Sequence, residues 1–133
     1  MSKKNEKLIV TCSDLEKDEI GTRMLNVDET IFGGIPFFTE SAWIWPKSEK
    51  IVMEEKSHSH KFDEVVTLFG SDPDKPQDLC GEVEFWMEDE KFLIHESCNI
   101  YIPKGTMHCP LIFNRVERPI FHYIVGQGGK YSV

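Results

Sequence analysis

The sequence predicts an all-β domain, either a sandwich or a barrel, that follows an irregular N-terminal arm. Short segments rich in Val, Ile, Phe, Tyr and Trp recur from residue 50 onward, and turn signals separate them. No window holds a helical period for more than a turn or two. The 133 residues suffice for one such domain, because a chain of this length buries roughly two-thirds of the surface that its unfolded form exposes.

Residues 1–45 are predicted to form an N-terminal tail and arm. The first seven residues are charged and predict a tail, and residues 11–19 are polar and predict an irregular stretch or one short helical turn. Residues 31–38 are apolar, but two glycines and a proline interrupt them, which indicates a turn or a close backbone approach. Residues 42–46 fit an edge strand that ends at a proline.

Residues 46–126 are predicted to form the β domain itself, and residues 127–133 a C-terminal tail. The glycines of the segment GQGGK at the end of the domain are typical of a flexible exit. Pro, Gly and Asp cluster between the candidate strands and predict turns there. The candidate strands lie at residues 50–56, 64–69, 81–87, 91–96, 99–102, 109–113 and 120–125.

The charge and the hydropathy pattern exclude several classes of protein. The chain has 15 basic and 23 acidic residues and a net charge of −8, whereas a general nucleic-acid binder needs a basic footprint. No stretch approaches the ~20 apolar residues that cross a membrane, and the apolar run after the charged start is too short for a signal peptide. We therefore expect a cytoplasmic protein with no nucleic-acid and no membrane partner. Its cysteines form no C-x-x-C pair and are expected to be reduced thiols: Cys12, Cys80, Cys98 and Cys109.

A cluster of metal-ligating residue types begins at His58. His58 and His60 are two residues apart, so on a strand both side chains would point to the same face. Glu64 follows four residues later and can supply a carboxylate oxygen to the same point. His108 follows a predicted Pro-Gly turn, which would direct a third imidazole toward the other two. Because imidazoles with one carboxylate suit Fe, Mn, Ni, Co or Zn, these four residues are predicted to hold one divalent transition metal.

The spacing of these residues resembles that of the cupin superfamily. Two motifs of that superfamily are present in the expected order, H-x-H-x3-E and then P-x-G-x2-H, within residues 52–114. Composition alone would give both motifs in this order in roughly one such chain in a thousand. The resemblance implies a jelly-roll β-barrel of the small, single-domain type, in which three histidines and a glutamate hold one divalent metal. The matching residues are His58, His60, Glu64, Pro103, Gly105 and His108.

For the other candidate ligand-binding residues, a structural role is the simpler interpretation. His95 and His122 lie in predicted strands, where a histidine is more often hydrogen-bonded within the domain than bound to a metal. Cys109 directly follows His108, so on a strand it would point to the opposite face and pack there. Three arginines are candidates for binding a substrate carboxylate, although a solvated arginine is the commoner case. They are Arg23, Arg115 and Arg118.

The predicted metal site is compatible with three kinds of function. The first is an oxygenase, because a six-coordinate ion with four protein ligands keeps two positions for a chelating organic substrate and O2. Dioxygenases are common among the metal-binding cupins that the sequence resembles. The second is an isomerase, lyase or decarboxylase of a sugar or keto acid, in which the metal polarises a carbonyl. The third is a non-enzymatic module that binds a small molecule or a metal.

Neither a catalytic residue nor a separate acid–base pair is assigned from the sequence. A small-molecule ligand is the expected partner in all three cases. Small cupins commonly pair, so the resemblance also implies a homodimer.

Overall fold

The protein is almost entirely β in the computed structural model, which describes residues 4–12 and 15–132. A 3₁₀ turn at Glu6–Leu8 precedes the strands, and the described residues contain no α-helix. The all-β prediction is confirmed. The strands are β1 (Glu16–Lys17), β2 (Thr22–Arg23), β3 (Phe37–Ile44), β4 (Ile51–Glu54), β5 (Glu64–Phe69), β6 (Asp78–Met87), β7 (Glu90–Glu96), β8 (Cys98–Ile102), β9 (His108–Val116) and β10 (Ile120–Gln127).

These strands form two antiparallel sheets. The larger sheet has the order β1-β2-β3-β10-β5-β8, and the smaller has the order β4-β9-β6-β7. The arrangement matches a jelly roll, but the strand pairing does not close the two sheets into a barrel. Side chains on one face of each sheet are withdrawn from solvent, as the alternating burial along β5 and β6 shows. The largest fully buried side chains come from both sheets and include Phe38, Ile44, Leu68, Phe85 and Phe113.

The predicted arm contains a strand that the sequence patterns indicate only in part. All eight residues of β3 pair with β10, from Phe37 opposite Gln127 to Ile44 opposite Ile120. The predicted edge strand at residues 42–46 overlaps this element only at residues 42–44, and it is not at an edge, because β2 pairs on the other side of β3. The interrupting glycines and proline precede β3, so the apolar stretch 31–38 is divided between a turn and a strand.

The predicted metal ligands lie where loops enter the sheets. His58 and His60 are in the loop between β4 and β5, Glu64 is the first residue of β5, and His108 is the first residue of β9. The two nearby histidines therefore do not lie on a strand, in contrast to the sequence prediction. Among the described residues, the structure has no helix long and apolar enough to cross a membrane.

Candidate metal centre

Three histidines meet at one end of the space between the sheets. A pair of backbone hydrogen bonds joins His58 to His108, with N···O distances of 3.0 and 2.8 Å. The ring centroids of these two imidazoles are 4.5 Å apart, and His60 lies 4.7 Å from His58 and 5.0 Å from His108. One ring nitrogen from each histidine lies within 4.8 Å of those of the other two. The turn that the sequence predicts before His108 thus brings the third imidazole to the first two.

Each of the three imidazoles is oriented by a backbone carbonyl. The Nδ1 atom of His58 lies 2.9 Å from the carbonyl oxygen of Lys56. Nδ1 of His60 lies 2.6 Å from that of Ser132, and Nδ1 of His108 lies 2.9 Å from that of Thr106. A carbonyl oxygen only accepts hydrogen bonds, so each Nδ1 must carry a proton. In the neutral rings, Nε2 therefore keeps its lone pair, which is the form that binds a metal.

The Glu64 carboxylate completes the cluster without forming a hydrogen bond to it. Its oxygens lie 3.7 Å from His60 Nε2 and 4.0 Å from His108 Nε2, which is too long for hydrogen bonds. Within the described part of the chain, His60 Nε2 and Glu64 Oε2 are buried and have no hydrogen-bond partner. Leaving a buried polar group unpaired costs about 1–3 kcal/mol. A cation between these atoms would remove that cost, so the residues fit a metal ion.

Burial also shifts the protonation of this cluster in a consistent direction. It raises the pKa of Glu64 to about 7, with a smaller contribution from the Glu40 carboxylate. It lowers the pKa of His60 and of His108 below the ordinary value for histidine. All three shifts disfavour the charged forms of the side chains, as expected for groups withdrawn from water.

Apolar and aromatic side chains surround the imidazoles. The Phe62 ring stacks on His60 with a centroid distance of 4.6 Å and an interplanar angle of 12°. The Tyr131 ring meets His60 edge-on at 4.9 Å. His60 and His108 are only 4% and 2% exposed. These two imidazoles are thus shielded from water, which strengthens charge interactions at them, whereas His58 is only half-buried.

No protein-family model matches the sequence, and no curated protein matches it significantly. Solved structures do match it. A Cupin 2 conserved barrel domain protein from Salinispora arenicola is 16% identical, with a TM-score of 0.53 over 86% of this chain and 81% of its own. Bacillus subtilis oxalate decarboxylase is 19% identical, with a TM-score of 0.60 over 92% of this chain and 30% of its own. A sugar phosphate isomerase of the cupin superfamily from Silicibacter pomeroyi is 14% identical, with a TM-score of 0.52 over 82% of this chain and 60% of its own.

The chain has a cupin fold. The fold that the two sequence motifs imply is therefore confirmed. At these identities the likeness concerns the fold, whereas the chemistry depends on the side chains of this chain.

A cavity of about 310 Å³ adjoins the histidines inside the cupin fold. His58, Glu64 and His108 line it at the cluster. The rest of the lining is mostly apolar and includes Val66, Phe85, Leu111 and Ile124, which come from both sheets. The cavity is thus large enough for a small organic molecule and gives it direct access to the cluster.

Two further titratable residues of this cavity are Glu40, to which the sequence assigns no role, and His122, for which it favours a structural role. Glu40 faces inward from β3 opposite Ile124, and burial raises its pKa above the ordinary value. His122 is 5% exposed, its Nε2 has no partner among the described residues, and burial lowers its pKa to about 4. The sequence could have indicated that Glu40 faces inward, because it lies between alternating apolar residues of a strand. The turn residues before β3 obscure that strand pattern in the sequence.

The structure separates the remaining candidates. His95 lies on the surface and is bonded to Glu82, with 3.0 Å between Nε2 and Oε1. His122 lies inside the fold but outside the group of three histidines. Neither histidine is a fifth ligand in this arrangement.

The three arginines also separate. Arg23 lines the cavity, Arg115 is exposed and pairs with Glu117, and Arg118 is exposed. Arg23 is therefore the arginine that a ligand in the cavity can reach.

Cys109 departs from its predicted orientation. It lines the same cavity as His108 instead of pointing to the opposite face. Its backbone φ is 83°, so the regular alternation of strand side chains does not hold at this position. Burial raises the pKa of its thiol to about 12, which keeps the sulfur protonated and disfavours it as a metal ligand. The predicted packing role agrees with its burial.

Proposed function

We propose that the protein holds one divalent transition metal through His58, His60, His108 and Glu64, and that this metal binds a small organic molecule in the adjoining cavity. The observation that carries the proposal is the pair of unpartnered buried atoms, His60 Nε2 and Glu64 Oε2, which face each other within the cluster. The Mn(II) centres of the structurally similar oxalate decarboxylase support a divalent ion in a cupin fold.

The charges of the donor set support a reactive centre. Three neutral imidazoles and one carboxylate leave a divalent ion with a net charge near +1. A six-coordinate ion would retain two positions for exogenous ligands, and a tetrahedral ion would retain none. Fe, Mn, Ni, Co and Zn all accept these donors.

For the reaction, we propose an oxygenase that acts on a substrate chelated at this site. A redox-active metal would supply Lewis acidity and would relay electrons to O2 from the chelated substrate, which is the species that is oxidised. The chain itself contributes the apolar walls of the cavity, among them Val66, Phe85 and Leu111, which exclude water and hold the organic part of a substrate. This combination of a shielded site and an apolar cavity suits the oxidation of a hydrophobic chelating molecule.

A second candidate is a metal-dependent isomerase, lyase or decarboxylase, and Glu40 favours it. Its carboxyl group lies on the inner face of β3 with a pKa raised by burial, so it can carry a proton to or from a bound substrate. The solved cupin-fold structures that resemble this chain include an oxalate decarboxylase and a sugar phosphate isomerase. In this case E40Q should lower kcat strongly and leave metal content unchanged.

O2 uptake separates the two reactions. The protein loaded with Fe(II) is offered catechols, thiols and 1,3-diketones, and separately sugars and keto acids, with H108A as the control. An oxygenase consumes O2 only when both substrate and metal are present. Turnover of a sugar or keto acid without O2 consumption would favour the second candidate. Tight binding without turnover in either assay would favour a non-enzymatic binding module.

We also propose that two copies associate through an aromatic patch on the outer face of the larger sheet. This patch consists of Trp43, Trp45, Phe69 and Phe121. Trp43 stacks on Trp45 at 5.8 Å and contacts Phe121 at 4.9 Å. Phe69 and Trp45 are 49% and 45% exposed. The patch carries no charge on a chain of net charge −8, so it is the kind of surface on which two acidic copies can meet.

Light scattering coupled to gel filtration tests this association. The expected result is a dimer mass for the native chain and a monomer mass for F69D. A monomer mass for the native chain at micromolar concentration would contradict the proposal.

A further inference from the structure

We propose that the segment 127–132 supports metal binding at the metal centre. The Ser132 carbonyl sets the tautomer of His60, and the Tyr131 ring holds that carbonyl in place. This inference rests on the proposed metal site and adds two positioning residues to it. The sequence predicts only a flexible tail here. The structure places Tyr131 and Ser132 of this segment against the histidines.

His60 differs from the other two histidines in where its orienting carbonyl comes from. The Nδ1 partners of His58 and His108 are Lys56 and Thr106, each two residues away in the same loop. The partner of His60 is Ser132, which is 72 residues away in sequence, at a distance of 2.6 Å. Two of the imidazoles are thus oriented locally, whereas His60 depends on the C-terminal segment.

The Tyr131 ring fixes the segment onto the site. It meets the rings of His60, Phe38 and Phe62 edge-on, with centroid distances of 4.9, 5.8 and 6.5 Å. The ring therefore fills the space beside His60 and places the next carbonyl in the chain, that of Ser132, at Nδ1. Removing the ring would free this carbonyl to move away.

Backbone hydrogen bonds secure the start of the same segment. The Gly128 N–H donates to Pro36 O at 2.9 Å, and the Glu29 N–H donates to Gly129 O at 2.6 Å. Gln127 is bonded to Asp63, which lies in the loop that joins His60 to β5. The segment is thus anchored at both ends, and the C-terminal anchor is the metal centre itself.

The Tyr131 hydroxyl contacts a different histidine from the one on which its ring packs. It lies 3.4 Å from His58 Nε2, the nitrogen that faces the proposed metal. A hydrogen bond at this nitrogen occupies the lone pair that a metal needs, so the hydroxyl does not assist metal binding by the protein. The ring and the carbonyl, and not the hydroxyl, are the groups that the metal centre requires.

The chemical consequence concerns the proton of His60. With the Ser132 carbonyl present, the proton of the neutral ring stays on Nδ1 and Nε2 is free. Without that acceptor the proton can move to Nε2, where it blocks metal binding. Hydrogen-bond partners of metal-ligating histidines typically change metal affinity by 10–100-fold when they are removed.

Four variants test the inference through Co(II) affinity, measured by competition with a chelator. A chain ending at Lys130 loses both groups, and Y131A loses the ring. Y131F keeps the ring, and S132A keeps the backbone carbonyl. We expect Co(II) binding to weaken about tenfold or more in the first two variants and to stay within about twofold in the last two. Y101A serves as the matched control, because Tyr101 is 57% exposed on β8.

A second readout needs no metal. The nitrogen shifts of the His60 imidazole, observed by NMR in the metal-free protein, report whether the proton is on Nδ1 or on Nε2. We expect the Nδ1–H form in the native chain and in S132A, and a shift toward Nε2–H in Y131A. Unchanged His60 shifts in Y131A together with unchanged Co(II) affinity would overturn the inference. Failure of the native chain to bind Co(II) would instead overturn the proposed metal site, and the NMR result would still decide the role of Ser132.

Discussion

Two clusters of histidine and carboxylate in the described part of the chain differ in burial and in pairing. The metal centre contains His58, His60, His108 and Glu64, and the side chains of His60, His108 and Glu64 are only 2 to 4% exposed. The surface cluster contains Glu82, Glu84, His95 and Asn114 on the smaller sheet. There the His95 side chain is 53% exposed and bonded to Glu82 at 3.0 Å. Asn114 Nδ2 donates to both carboxylates of that cluster.

The two clusters have opposite electrostatics. Hydrogen bonds from His95 and Asn114 lower the pKa of Glu82, because they favour its ionised form. Burial raises the pKa of Glu64, which has no hydrogen-bond donor among the described residues. Among the described residues, the surface cluster provides hydrogen-bond donors to its carboxylates and leaves Asn114 Oδ1 without a partner. The metal centre leaves both a carboxylate oxygen, Glu64 Oε2, and an imidazole nitrogen, His60 Nε2, without one. Residue composition alone does not distinguish these two situations.

Replacing one ligand should have the largest effect and should separate the two clusters. H60A removes one of three nitrogens that converge within 4.8 Å, so we expect metal affinity to fall at least about 100-fold. H95A, in the surface cluster, should leave metal affinity unchanged. Competition with a chelator measures both. Equal losses in the two variants would show that the affinity change is not specific to the metal centre.

Neutralising one carboxylate in each cluster should affect stability in opposite directions. The pKa of Glu64 is about 7 in the folded chain and about 4.3 in an unfolded one, so folding binds a proton between these values. The contribution of protonated Glu64 to the free energy of unfolding is fully present below about pH 4 and is lost as the pH rises through 7. Without metal, E64Q should therefore be more stable than the native chain above pH 7, by at most roughly 4 kcal/mol.

E82Q should show the reverse sign and a smaller size, because Glu82 is stabilised as a carboxylate by its hydrogen bonds. Urea unfolding of chelator-treated protein at several pH values measures both variants. A destabilised E64Q at pH 8 would contradict the assignment of Glu64 as a carboxylate without a hydrogen-bond donor.

The metal affinity of the E64Q variant should also fall, since the charged ligand is lost.

Acid should release the metal gradually. Ligating imidazoles must be neutral, and burial places the pKa of His60 and His108 below the ordinary value of about 6.5. Metal retention should therefore persist at pH 6.5 and decline at lower pH. Equilibrium dialysis across pH 4 to 7 measures the decline, and retention that does not change down to pH 4 would contradict imidazole ligation.

The smallest effect is expected when a residue of the surface cluster is replaced and the stability of the protein is measured. Its hydrogen bonds compete with water, so H95A should change the free energy of unfolding by less than about 1 kcal/mol. Urea unfolding at pH 7 measures this change. A loss of several kcal/mol would mean that the surface cluster supports the smaller sheet more than its exposure suggests.

The sequence predicts three residues of the metal centre by their local spacing, and it predicts His108, far along the chain, through the Pro-Gly turn and the motif shared with cupins. His58, His60 and Glu64 lie within seven residues, and a single turn before His108 brings the fourth donor to them. The all-β fold follows from alternating apolar segments in the same way. Partnerships across the chain are different, because no spacing encodes them: Ser132 meets His60, and Glu40 enters the cavity only through the pairing of β3 with β10.

The metal content of the protein purified without chelators tests the central claim most directly. Elemental analysis should find about one equivalent of a first-row transition metal in the native chain and almost none in the H60A/H108A double variant, with H95A matching the native chain. Stoichiometric metal in the double variant would contradict the metal centre proposed at these residues.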